Sequence, residues 1–432
     1  MKKLMLVIAI ICLVVLPGLF ANGNSDNVSD QSEESPVLVL LIDNATSLDG
    51  IKAVAAAFES KTGVATEIEL RPGSAEGENL LKTRLATGEM SDLVYFNSGS
   101  LLTALNPERN FVDLTNESYM DKISSSYKQT VTVNGKIFGI PASSSAAGGI
   151  LYNKKAYREL GLEVPMTWDE FMDNCQVVKD AGKTAVIGSY KDDWTAQLFL
   201  LSDFYYVQQQ VPDFAERFTK NEAKYATTPA ALEAFYKYKE VQERDFMNSD
   251  YLATTYDEAL GMLAEGDGVH YPMLTFAFAA LTNNYPDQVE DIGFFAQPDN
   301  APGLNGTTVW LPNSIYIYKD GENVDLAKQW ADFYVSPEGL AIYSATNKAD
   351  GPFVVKGVEL PADTPSGVLD LMKYFENDQT APALEFITPV KAPNSPQICV
   401  EVGSGISEPL DAAEKYDRDT EKQAKQLNLP GW

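Results

Sequence analysis

The strongest constraint on the fold is an alternation between residues 37 and 96. Val37-Leu-Val-Leu-Leu-Ile42 is an unbroken apolar run of strand length that stops at Asp43-Asn44, and such runs suit strands covered on both faces. Leu48, Ile51, Val54, Ala55 and Phe58 then recur at helical spacing, and Lys61-Thr-Gly63 ends that helix. Val64 to Leu70 reads as the next strand and Asn79 to Thr87 as a helix stopped by Gly88. Asp92 to Phe96 is a third strand, closed by Asn97-Ser98-Gly99. Strand, helix, strand, helix, strand is a parallel α/β unit. Its ligand crevice belongs beyond the carboxyl ends of the strands, where Asp43, Asn44, Asn97 and Ser98 fall.

A second unit follows. Lys154 to Leu160 is helical up to Gly161, and Thr167-Trp-Asp-Glu170 has the form of a capping box. Ala185 to Gly188 reads as a strand, Trp194 to Tyr206 as an apolar helix, and Ala230 to Arg244 and Thr255 to Leu263 as further helices. Val289 to Phe295 and Thr307 to Tyr318 are expected strands. Helices over Leu326 to Val335 and Pro337 to Tyr343 are interrupted by Asp350-Gly-Pro352, and Ser407 to Leu427 closes the chain as a helix. Between the two units lies "GKIFGIPASSSAAGGILYNK", Gly135 to Lys154, with eight small residues from Ala142 to Gly149. A proline followed by small side chains makes a crossover that bends without repacking, which a hinge between lobes requires.

With 432 residues, 45% of them hydrophobic, the chain is long enough for two lobes. Lys2 and Lys3 precede an apolar run from Leu4 to Leu16, and a small residue, Ala21, precedes a polar region. This pattern describes a cleavable secretory signal over residues 1–21, and the run is too short for a membrane span of about 20 residues. Residues 22–35, "NGNSDNVSDQSEES", are polar and acidic and read as a disordered leader. The mature protein is therefore expected to be periplasmic or extracellular. A net charge of -28 argues against nucleic-acid or anionic-membrane partners. Cys175 and Cys399 remain after export, and sequence separation leaves both a bridge and two buried thiols open. His270 is the single histidine and no Cys-x-x-Cys spacing exists, so neither a transition-metal site nor any cofactor is expected.

Several segments resemble the extracellular solute-binding proteins of ABC transporters, in the group that mostly binds sugars. "NGKIFGIP" (Asn134 to Pro141) and "ILYNKKAYRELGLEVPMTWDEF" (Ile150 to Phe171) match most closely, with Phe138 where the family usually has tyrosine. "FESKTGV" (Phe58 to Val64), "LLKTRLATGEMSDLVYFN" (Leu80 to Asn97), "EALGMLAEGDGVHYP" (Glu258 to Pro272) and "NVDLAKQWADFYVSPEGLAIY" (Asn323 to Tyr343) continue it in the family's order. The resemblance implies a two-lobe α/β periplasmic-binding-protein fold, type II-like, with a ligand cleft between lobes joined by crossover hinge segments. It places a first lobe at 36–142 and 305–346, and a second at 148–299 and 351–432.

Sugars present hydroxyls and C–H faces, and their sites combine aromatic rings with paired polar side chains in a concave pocket. The resemblance puts Asp43, Asn44, Asn97 and Ser98 at the ligand, although Asp43 could equally serve a turn or cap a helix. Ser143, Ser144 and Ser145 lie on the crossover and either bind ligand or simply keep the hinge small. Trp194, after Asp193, is expected to stack on ligand, its rival role being core packing with Asp193 as a helix cap. Tyr271 and Met273 take the places of a ligand-facing aromatic segment, and Trp310 is the other stacking candidate. Trp168 belongs to the packing motif, and Tyr205-Tyr206 sits in an apolar helical run that favours the core.

The function expected from the resemblance is the substrate-binding component of an ABC importer, non-catalytic, delivering a carbohydrate to the permease transmembrane subunits. The alternatives are an exported glycoside hydrolase, which needs two carboxylates at fixed separation, a sensor of the same fold, or a binding protein for a non-sugar solute. No nucleophile elbow, phosphate-binding loop or metal signature occurs.

Overall fold

The computed structural model describes residues 36–44, 46–72 and 75–432, and the expected signal and leader lie outside the described residues. Strand β1 (Val37–Asp43) is held by the apolar run, with Leu38, Leu40, Leu41 and Ile42 all fully buried. It pairs in parallel with β2 (Ala65–Arg71) along its whole length and with β3 (Leu93–Phe96) on its other side. Between them runs helix Asp49–Thr62, which buries Ile51, Val54, Ala55 and Phe58 and ends at Gly63 with φ of 75°. Glycine tolerates that left-handed geometry, so the chain reverses there without strain.

A short ribbon of β4 (Thr132–Val133) and β5 (Lys136–Ile137) leads into β6 (Gly139–Pro141). The second unit contributes β7 (Ala146–Asn153), β8 (Thr184–Val186), β9 (Gly268–Leu274), β10 (Ile292–Phe295) and β11 (Thr307–Trp310). Then follow β12 (Ser314–Ile317) and β13 (Thr380–Pro382). Among the described residues the first sheet runs β2-β1-β3-β12-β6 and the second β13-β11-β7-β9-β8, with β10 on β7 as well. The two-lobe α/β fold is thus built as two mixed sheets, each with its own helical cover. No helix among the described residues is long and apolar enough to cross a membrane.

Three expectations change. The strand foreseen over Thr307 to Tyr318 is two strands in two different sheets, because β11 pairs with β7 while β12 pairs with β3 and β6. Pro312, with no N–H to donate, stands at the break. The apolar helix foreseen over Trp194 to Tyr206 is a 3-10 turn, Asp193–Gln197, and two short helices, Leu198–Ser202 and Phe204–Gln210. Asp203 at their junction is buried and meets Lys237, which an uninterrupted apolar face would not accommodate. Finally, the small residues do not all belong to the crossover. Ala146 to Gly149 already lie in β7. A Cβ on Gly149 would stand 2.5 Å from the Phe295 carbonyl oxygen, and one on Gly148 2.6 Å from Ser202 Oγ. Those glycines are small because neighbours press on them; the free crossover is only residues 142–145.

The connections between the sheets lie side by side. The Ala142 amide donates to the Asn313 carbonyl at 2.9 Å, and the Ser145 amide to the Pro352 carbonyl at 3.0 Å. Ser144 Oγ accepts from the Asp350 amide at 3.0 Å. Beyond that point Phe353, Val354 and Val355 pack into the core of the first sheet, whereas Val368, Leu371 and Tyr374 pack in the second unit.

Candidate functional site

The carboxyl ends of β1, β2 and β3 gather one polar group. Thr46 Oγ1 donates to Asp43 Oδ1 at 3.0 Å, and Asn313 Nδ2 donates to the Tyr95 hydroxyl at 3.0 Å. Arg71, opposite Asp43 in register, is buried and donates from Nη2 to the Tyr95 carbonyl at 3.3 Å. Burial raises the Tyr95 phenol, and the Asp43 carboxylate raises it further while Arg71 opposes both. Asn44 is exposed, its amide bonded to the Arg71 carbonyl at 2.9 Å. Asn97 accepts the Tyr316 hydroxyl on its carbonyl at 2.7 Å. Ser98 is buried and donates to the Pro312 carbonyl at 2.8 Å, so its hydroxyl braces a crossover.

On the crossover, Ser145 is wholly buried and its hydroxyl donates to the Pro352 carbonyl at 2.7 Å. Ser144 Oγ is held by Asp350, while Ser143 is partly exposed and donates to the Ser144 carbonyl at 3.2 Å. Two of the three serines therefore tie hinge segments together.

The second unit brings three rings together. Trp194 lies 5.3 Å from Tyr256 and 6.0 Å from Phe276, and Tyr256 lies 6.4 Å from Phe276. All three are partly exposed. Each stands at an element's end: Trp194 in the 3-10 turn, Tyr256 at the start of helix Tyr256–Glu265, Phe276 just beyond β9. That helix starts where it does because Thr255 and Glu258 form a capping box and Asp192 Oδ2 accepts the Tyr256 amide at 2.7 Å. Asp193 itself is exposed. The tilted rings offer apolar faces of the kind on which a sugar's C–H surface lies.

Asp350 lies on the hinge, its amide donating to Ser144 Oγ at 3.0 Å. Burial pushes its carboxyl up to about 6. Burial raises the Tyr256 phenol, with Asp257 and then Asp350 adding to it; burial likewise raises Tyr343, with Tyr95 and then Asp350 adding.

Tyr271 and Met273 are not with this group. They are buried in the cluster around β9, and the Tyr271 hydroxyl is bonded to Ser189 Oγ at 2.7 Å. Trp310 is partly buried, with Nε1 donating to Glu385 Oε1 at 3.0 Å. Trp168 is buried, with Nε1 donating to Glu240 Oε2 at 2.7 Å, and Tyr205 and Tyr206 are buried too. Tyr256 and Phe276, the rings beside Trp194, were missed by the sequence reading. Applying the strand-end rule to β9 would have found Phe276, whereas Tyr256 opens a helix and no strand end flags it.

His270 has a structural environment. Its Nδ1 is 2.8 Å from the Ala185 carbonyl, so Nδ1 carries the proton, and Nε2 accepts from the Tyr157 hydroxyl at 2.8 Å. Cys175 and Cys399 are separate buried thiols. No group of three or more His, Cys, Asp or Glu among the described residues could hold a metal.

Comparison with known proteins agrees with this architecture. The family model described as bacterial extracellular solute-binding protein matches residues 44–341. The multiple sugar-binding protein of Streptococcus mutans is 22% identical over 83% of this chain and 84% of its own length. The melibiose/raffinose/stachyose-binding protein MelE of Bacillus subtilis is 19% identical over 100% of this chain and 99% of its own. Among solved structures, the apo form of RafE from Streptococcus pneumoniae superposes with a TM-score of 0.75 at 19% identity, covering 90% of this chain and 100% of that one. The match spans well over half of the sequence and both sheets. The chain belongs to the bacterial extracellular solute-binding proteins, and it binds its solute without transforming it.

Proposed function

We propose that this protein is the substrate-binding component of an ABC importer, capturing a neutral sugar or oligosaccharide between its lobes for delivery to a membrane permease. The observation that carries the reading is the trio of partly exposed rings, Trp194, Tyr256 and Phe276, with Phe276 following Thr275, whose amide donates to the Ala147 carbonyl at the start of β7. Ligand held there and by Asp43, Asn44, Asn97 and the neighbouring first-sheet groups would contact both lobes. Such contacts favour the closed state, the form a permease recognises. The lobes we assign follow the sheets: 36–142 with 314–358, and 146–310 with 366–432. A periplasmic or extracellular location accompanies the assignment. The names of the relatives, one for multiple sugars and one for melibiose, raffinose and stachyose, support a carbohydrate.

A thermal-shift screen of the chain from Asn22 onward, against sugars, polyols, amino acids and metal ions, tests the reading. Ligand at a hundredfold excess over Kd adds roughly 2.7 kcal/mol. A shift confined to one sugar class is the expected result. A shift from an amino acid or an ion, with none from sugars, would overturn the carbohydrate assignment and leave the fold intact.

A further inference from the structure

We infer that Ser100 and Phe386 form an interlobe latch, which holds the two lobes toward one another and tightens solute binding without touching the solute. The latch goes beyond the carbohydrate assignment and rests only on the reading of the cleft as a solute site.

The two sides of the contact come from different lobes. The 3-10 turn Gly99–Leu105 follows β3 after Asn97 and Ser98, and its Leu102 and Leu105 are buried in the core of the first sheet. The short helix Leu384–Ile387 follows β13, and its Leu384 is buried in the core of the second unit. Between them, Ser100 Oγ donates to the Glu385 carbonyl at 2.8 Å. The Phe386 ring packs against the first core rather than its own. Gly99, at φ of 83°, lets the two backbones touch, since a Cβ there would stand 2.8 Å from Phe386 Cα.

Each side is also tied to the crossover from β11 to β12. Ser98 Oγ donates to the Pro312 carbonyl at 2.8 Å. Trp310 Nε1 donates to Glu385 Oε1 at 3.0 Å, and the Ala383 amide to the Val309 carbonyl at 2.9 Å. The crossover is the pivot and the latch spans it, so the contact forms as the lobes approach and parts as they separate. Apparent affinity is the intrinsic affinity scaled by the fraction of molecules competent to bind. A contact that favours the closed form in the empty protein therefore strengthens binding.

The test places spin labels on the full chain through Lys52→Cys and Lys155→Cys, exposed positions with one in each lobe, while the buried Cys175 and Cys399 stay unlabelled. Interlobe distances are measured with and without sugar, and calorimetric titration with melibiose, raffinose and stachyose gives Kd. Ser100→Ala and Phe386→Ala should lengthen the sugar-free distances, and saturating sugar should restore the bound distance of the parent. Kd should rise about 3- to 10-fold in Ser100→Ala and about 10-fold or more in Phe386→Ala. Ile387→Ala, at a neighbouring side chain that is 39% exposed, should stay within about 2-fold of the parent. Sugar-free distances unchanged in both latch variants would overturn the latch whatever happens to Kd. A tighter Kd would place the contact in the open form and overturn it as well. Ser100→Ala, which loses a single hydroxyl, decides the matter if Phe386→Ala folds poorly. A parent that binds none of these sugars overturns the carbohydrate reading alone, because the sugar-free distances still judge the latch.

Discussion

The Ser145 hydroxyl and the Ser145 amide both donate to the carbonyl oxygen of Pro352, at 2.7 and 3.0 Å. This pair of hydrogen bonds between chain segments more than two hundred residues apart makes the crossover and the Asp350-Gly-Pro352 turn one unit. Bending at the hinge therefore moves them as a pair, and Asp350, whose amide is bonded to Ser144 Oγ, travels with the crossover.

Gly351→Ala should damage this unit more than Ser145→Ala does. The serine change deletes one of two bonds and should cost about 1 kcal/mol. The glycine change drives a methyl group against the Ser145 carbonyl, at 2.5 Å before relaxation, and should cost roughly 1–3 kcal/mol. Urea denaturation of both variants measures the order; equal losses would mean that the turn is free to move away.

Two tryptophans should separate cleanly. Trp168 is buried, ringed by Phe171 and Phe199, and bonded to Glu240. Its replacement by Ala should cost about 3–5 kcal/mol of stability. Trp194, partly exposed among Tyr256 and Phe276, should lose little stability on the same change but bind sugar about tenfold or more weakly. Denaturation curves and binding isotherms on both variants decide the assignment.

Acid should destabilise the protein through His270. Burial depresses its pKa from 6.5 to about 4, so between those values the unfolded chain binds the proton and the native state does not. The contribution is complete above pH 6.5 and lost as pH falls toward 4, amounting to about 3 kcal/mol. Because His270 is the single histidine, its ring NMR signal reports the titration directly. A midpoint near 6.5 in the folded protein would refute the buried neutral ring.

Asp350 runs the opposite way. Its folded pKa is raised, from 3.8 to about 6, so the native state holds the proton more tightly and the unliganded protein loses stability as pH rises between those values. Asp350→Asn should therefore be more stable than the parent at pH 7.5 by about 1–2 kcal/mol, discounted for partial exposure, and no more stable near pH 4. Melting temperatures of the sugar-free proteins across that range give the comparison.

Lys237 lies buried between Asp203 and Asp299, 2.7 Å from the latter, and also donates to the Pro298 carbonyl at 3.0 Å. Burial raises Asp203 to about 6 even with Lys237 opposing it. Lys237→Met would leave two carboxylates unpaired and should cost about 3–5 kcal/mol at neutral pH. The loss should shrink toward pH 5, where protonation of Asp203 removes one of the buried charges. Chemical denaturation at both pH values checks it.

By itself, the sequence determined the alternation. The apolar run Val37 to Ile42, the helical spacing ending at Gly63 and the Thr167/Glu170 capping box are local signals, each set by neighbours a few residues away, and each appears where it was expected. It also determined the two-lobe plan, through motifs that recur in order along the chain. The tertiary structure alone decided which sheet a strand joins, since Thr307 to Ile317 changes partners at Pro312, and pairing depends on residues far away. It alone showed that Gly148 and Gly149 are small through compression rather than for bending. It alone turned Tyr271 into the core while bringing Phe276 and Tyr256 up to Trp194. A site of this kind is assembled from the ends of separate elements, and only packing brings those ends together.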